Sequence, residues 1–85
     1  MAYAWKFEGG QGLILRFAGD RATILAQSAK VDLDVIARFI SQMQPATIRS
    51  VGFDLPPRPT FVEAGWMRFE QALRAHGADI PARPG

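Results

Sequence analysis

The chain contains no cysteine, which excludes disulfides, thiolate metal sites and cysteine nucleophiles together. Small secreted domains usually rely on such staples, so a reducing cytoplasm is the expected location. Histidine is nearly absent as well. His76 is the single one, and it ends a helical pattern whose neighbouring residues form no evident catalytic motif. That setting suits a helix cap or a surface residue, because acid–base catalysis needs a positioned partner and a pocket. No group of His, Cys and acidic residues has ligand spacing, so neither a metal nor another cofactor is expected. Long apolar runs are missing too, so no membrane span is expected, and Met1 to Lys6 lacks the charged start and apolar stretch of a signal peptide. Blocks of like charge are also lacking, and the net charge is only +2. A nucleic-acid footprint needs clustered charge rather than a small basic excess.

What is present describes a folding chain. With 85 residues, 48% hydrophobic and 21% charged, it lies outside the low-hydrophobicity, high-charge regime of disorder and has room for one modest core. One domain is expected over residues 1–80, followed by a flexible C-terminal tail over 81–85 that Pro81 and Pro84 keep out of regular structure.

The period of the apolar residues changes along the chain. Tyr3, Trp5 and Phe7 alternate with Ala4, Lys6 and Glu8, which predicts a first strand. Gly9-Gly10-Gln11-Gly12 has the glycines of a hairpin loop, and then Leu13, Leu15 and Phe17 share one face of a second strand. Gly19-Asp20 fits a two-residue turn into a third strand, Arg21 to Gln27, with β-branched Thr23 and Ile24. The three strands read as a meander.

Two helices follow. Asp32 is the expected N-cap of the first, with Asp34 in its opening turn at the positive end of the macrodipole. Leu33, Ile36, Phe39, Ile40 and Met43 form its apolar stripe, Arg38, Ser41 and Gln42 point elsewhere, and Pro45 ends it. A fourth strand is predicted from Thr47 to Leu55, with Val51, Phe53 and Leu55 on one face. Pro56-Pro57-Arg58-Pro59 then leads to Thr60, which with Glu63 has the form of a capping box. The second helix would bury Val62, Trp66, Phe69 and Leu73, turn Arg68, Gln71 and Arg74 to solvent, and close on Gly77. Residues Ala78 to Ile80 could add a short terminal strand.

The order β-β-β-α-β-α predicts a single two-layer α+β domain: a mixed sheet, including the meander, with two amphipathic helices packed on it. The helical crossover between the third and fourth strands would make them parallel and right-handed.

Candidate contact residues fall in two places. Arg58 is a cation on a stiff proline-rich connector, a form that also suits a short polyproline recognition element. Tyr3, Trp5 and Phe7 form an aromatic stripe on the first strand. That stripe is core if a helix covers it; at an uncovered edge it would invite strand addition or homodimerisation. Arg16 and Arg21 add cations on the neighbouring strands, and with Lys6 they also admit a nucleic-acid reading by stacking and phosphate contact. The glycines at 9, 10 and 12 lead into a strand rather than a helix, which does not suit a phosphate loop.

The strand Ile48 to Leu55, followed by Phe61-Val62-Glu63-Ala64-Gly65-Trp66 and a helix ending at Gly77, resembles the corresponding strand and second helix of the STAS domain family of anti-sigma-factor antagonists and transporter-associated regulatory modules. That resemblance would put Glu63 in place of the family's aspartate, Ala64 at a small position and Gly65 at the glycine. The phosphorylatable serine has no counterpart, nor do the family's final strand and helix. A STAS-like regulatory domain without the phosphorylation switch is what the resemblance implies.

The expected function is that of a small non-catalytic protein–protein interaction module: an adaptor, accessory subunit or inhibitor of a larger complex, of a size that suits a phage or mobile element. Its expected partner is another protein or protein complex, or a second copy of itself. A nucleic-acid-binding module is the alternative from another class.

Overall fold

Gly19 adopts φ +62°, a left-handed value that costs glycine little, and with Asp20 it forms the tight turn that the sequence places there. A computed structural model describes residues 1–7, 12–43 and 47–85. The strands are β1 (Ala2–Lys6), β2 (Gly12–Ala18), β3 (Arg21–Ala26), β4 (Lys30–Val31), β5 (Ser50–Asp54) and β6 (Thr60–Phe61), and the helices are α1 (Asp34–Gln42) and α2 (Glu63–His76). The expected hairpin loop from Gly9 falls largely outside the described residues, as does Pro45.

The main sheet has the order β1-β2-β3-β5. The first two pairings are antiparallel, and β3 with β5 is parallel, as a helical crossover requires. Leu15 faces Ile24, and Ile24 faces Phe53, so one apolar row crosses the sheet and receives the helices. Phe39 of α1 meets Tyr3 and Trp5 of β1, and Trp66 and Phe69 of α2 meet Phe53 of β5. Both helices therefore lie on one face, giving the two-layer α+β domain. Leu15, Ile24, Leu33, Ile36, Phe69 and Leu73 are completely buried between the layers.

A second, two-stranded sheet was not legible in the sequence. β4 and β6 run parallel, with the Thr60 amide donating to the Ala29 carbonyl at 2.7 Å and the Val62 amide to the Val31 carbonyl at 2.9 Å. Two residues per strand carry almost no periodic signal. Their position matters because β4 leads into α1 and β6 into α2, which brings the two helix starts together. Arg68 of α2 reaches Asp34 of α1 at 3.0 Å.

That ribbon explains why the expected capping box is absent. Thr60 is committed to strand pairing, the N-cap position of α2 is Val62 with no side-chain cap, and Glu63 bonds Arg83 instead. Val62 itself is 37% exposed rather than buried. At α1 the N-cap position is Leu33 rather than Asp32. The Asp32 carboxylate still accepts the Asp34 amide at 3.0 Å, satisfying one helix-start donor from a residue earlier.

Other boundaries move inward. The fourth predicted strand is paired only over Ser50–Asp54, because before it the Arg49 amide turns to the Asp20 carbonyl at 2.8 Å. Residues 78–80 form no strand, although the Asp79 amide bonds the Arg49 carbonyl at 2.8 Å. Gly77 closes α2 at φ +82° as expected, with the Ala78 amide returning to the Leu73 carbonyl at 2.9 Å. Beyond it, Arg83 in the expected tail bonds Glu63 at 2.7 and 3.1 Å and lies 4.8 Å from the Trp66 ring centroid.

Candidate interaction surface

The alternation of each strand sorts the candidate residues by face. Tyr3 and Trp5 point to the helix side, where Tyr3 sits 4.6 Å from Phe39 and 6.0 Å from Phe17, centroid to centroid, and Trp5 sits 5.3 Å from Phe39. Cover is incomplete at this edge: Trp5 is half-buried, while Tyr3 keeps 37% and Phe7 42% of its surface. Arg16 and Arg21 point to the opposite face. The stripe and these two cations thus lie on different sides of the sheet, and the aromatics and cations do not combine into one nucleic-acid platform. Arg58 is exposed in the connector between β5 and β6, with φ +55°.

The face away from the helices has its own composition. Cross-strand register sets Ala4 beside Ile14, Ile14 beside Leu25 and Leu25 beside Asp54. A second row holds Ala2, Arg16, Thr23 and Gly52. Ala4, Ile14 and Leu25 contribute to a shallow, largely apolar groove of 280 Å³. Lys6 lines it, Arg16 and Arg21 stand further along the same face, and none of the three forms an ion pair with a described carboxylate. Arg21 lies over Gly52 and donates to the Ser50 hydroxyl at 3.4 Å. A side chain at position 52 would occupy the space of that guanidinium. Sequence reasoning found Arg16 and Arg21 but missed Ala4, Ile14, Leu25 and Gly52. The alternation that places them was in the sequence, but which face would lack a helix was not.

A larger cleft of 390 Å³ opens on the helix side between Phe7, Leu13, Ser28, Val31, Arg38 and Val62. Asp34, at its wall, is held by Arg38 at 3.2 Å and Arg68 at 3.0 Å, so this carboxylate is engaged in tying the helices. Among the described residues no cluster of His, Cys, Asp and Glu could hold a metal ion, and no helix is long and apolar enough to cross a membrane. The Arg83 hydrogen bonds hold the Glu63 carboxyl below its ordinary value of 4.5, outweighing the opposing effect of desolvation, and the Arg83 charge adds to the lowering. The same pair pushes Arg83 up.

Comparison with protein-family models, curated proteins and solved structures found no match to this chain. The residues of the STAS-like resemblance, Glu63, Ala64 and Gly65, do open α2. Two of them have structural work there: Glu63 receives Arg83, and Gly65 lets α2 approach the start of α1. A Cβ at Gly65 would run into the Asp32 carboxylate and lie 3.1 Å from the Leu33 amide nitrogen.

Proposed function

We propose that this chain is a small non-catalytic interaction module that docks an acidic protein surface on the helix-free face of its sheet, as an adaptor, accessory subunit or inhibitor would. The observation that carries this reading is that the apolar row of Ala4, Ile14 and Leu25 shares its face with Lys6, Arg16 and Arg21, while Asp54 is the acid that the described strands add to that face. Apolar contact supplies affinity, and the cations select carboxylates and steer encounter. Nucleic acid is the weaker reading, because single-strand binding on a sheet draws on aromatic stacking, and the aromatic residues of β1 face the helices.

The test is site-specific photo-crosslinking in nuclease-treated native lysate, with the crosslinker at Ile14 and, as control, at exposed Met67 on α2. A discrete acidic protein joined from position 14 but not from 67, and lost in Arg16→Glu/Arg21→Glu, is the expected result. No position-dependent adduct, or one indifferent to charge reversal, overturns the proposal.

A further inference from the structure

β1 is an edge strand, and the bonding pattern shows which of its backbone groups remain free. The Phe17 amide donates to the Met1 carbonyl at 2.8 Å, so these two residues form a hydrogen-bonded pair. Antiparallel strands alternate bonded and non-bonded pairs. Tyr3 and Trp5 therefore bond to their partners Leu15 and Leu13, whereas Ala2, Ala4 and Lys6 direct their N–H and C=O groups away from the sheet.

The side chains of this edge are equally one-sided. Met1 is 78% exposed, Tyr3 37% and Phe7 42%. With half-buried Trp5 they alternate along the strand on its helix side, so the layer that covers the rest of the sheet stops short of its edge. Edge strands in monomers are commonly blunted by charge, proline or a bulge. Here Lys6 is the only charge within β1.

We infer that β1 pairs antiparallel with β1 of a second copy, in the register that sets Ala4 opposite Ala4. This twofold register bonds Ala2 to Lys6 of the second copy, Ala4 to Ala4 and Lys6 to Ala2, which uses every outward-facing residue of the strand. It also sets Tyr3 against Trp5 of the second copy and Met1 against Phe7. Those are non-bonded pairs, in which side chains approach most closely. A shift that brought Lys6 opposite Lys6 would place like charges together and carry Ala2 and Ala4 past the β1 strand of the second copy. The rings and Met1 cover roughly 300 Å² of apolar surface per protomer, about 600 Å² for the pair, which even with the strand backbone stays below the size of stable specific interfaces and gives a weak, exchanging dimer. The inference is independent of the acidic partner, since it uses the strand edge and the helix-side stripe. Pairing would join the helix-free faces of two copies into one sheet.

Sedimentation equilibrium of the 85-residue chain, from about 10 μM to about 1 mM, is expected to show a reversible monomer–dimer transition. Ala4→Pro removes an outward amide without touching the β1–β2 bonds. It should be monomeric throughout, with an unchanged circular dichroism spectrum. In this cysteine-free chain, Ala4→Cys should oxidise to a disulfide-linked dimer, because Cα atoms of a bonded antiparallel pair lie about 5.5 Å apart. Ala2→Cys should not, because the two copies of residue 2 are displaced by about 13 Å along the strands. A wild type that stays monomeric to the highest concentration overturns the inference. Equal crosslinking from positions 2 and 4 overturns it as well, and this readout does not depend on the proline variant folding.

Discussion

The Arg83 guanidinium grips the Glu63 carboxylate through two hydrogen bonds, 2.7 Å from Nη1 to Oε2 and 3.1 Å from Nη2 to Oε1. It sits over Trp66 at the same time, so the chain after α2 returns to the first turn of that helix. The carboxylate also suits the helix's positive end.

Because the folded-state pKa of Glu63 is lowered, the pair contributes stability above the unfolded-state pKa. That contribution is lost as pH falls through the lower folded value. Glu63→Gln should therefore lower the melting temperature slightly at neutral pH and match wild type once the Glu63 carboxyl is protonated in the folded as well as the unfolded state. Exposure to solvent keeps the effect small. Melting curves taken across the acid range check it, and a constant difference down to the lowest pH contradicts it.

Gly65→Ala sets two magnitudes against each other. Alanine favours a helix over glycine by about 1 kcal/mol, but the new methyl meets the Asp32 carboxylate and crowds backbone nitrogens 3.1 and 3.2 Å away. Overpacking against backbone costs about 1–3 kcal/mol, so net destabilisation is expected. Asp32→Ala alone should cost about 1 kcal/mol through loss of the acceptor for the Asp34 amide. The double variant should be less destabilised than the sum, since the carboxylate is the obstacle. Urea unfolding of all three variants measures that coupling.

Thr60 acts through its main chain. Thr60→Ala should change stability by less than about 0.5 kcal/mol, as no cap is lost. Thr60→Pro removes the donor to the Ala29 carbonyl and should cost more than about 1 kcal/mol. Equal and large losses in the two variants would restore a role for the hydroxyl.

Two aromatic truncations separate centre from edge. Phe69 is completely buried, and Phe69→Ala should cost about 3–5 kcal/mol, a large part of the stability of a domain this size. Trp5→Ala, at a half-buried edge position, should leave a cooperatively unfolding protein with a clearly smaller loss. Chemical denaturation distinguishes them, and global unfolding by Trp5→Ala would make β1 part of the essential core.

The period-two run Leu13, Leu15, Phe17, the turn at Gly19 and the helical spacing of Ile36, Ile40, Phe69 and Leu73 were all readable because each is local. Backbone sterics and side-chain period act over a few residues, and they sufficed for the α+β class and for the parallel β3–β5 pairing. The sequence by itself thereby determined the principal elements and most of their buried faces. Only the tertiary structure decided what Thr60 and Asp32 do, since pairing between β4 and β6 overrode the capping pattern at Thr60, Leu33 took the N-cap position of α1, and the Asp32 carboxylate came to lie where a side chain at Gly65 would be. It alone decided that Arg83 returns to Glu63, that Arg21 covers Gly52, and that the β1 aromatics and the Arg16 and Arg21 cations lie on opposite sides of one sheet. Such relations join residues distant in the chain, and they exist only once burial of the common core has placed both helices on the same face.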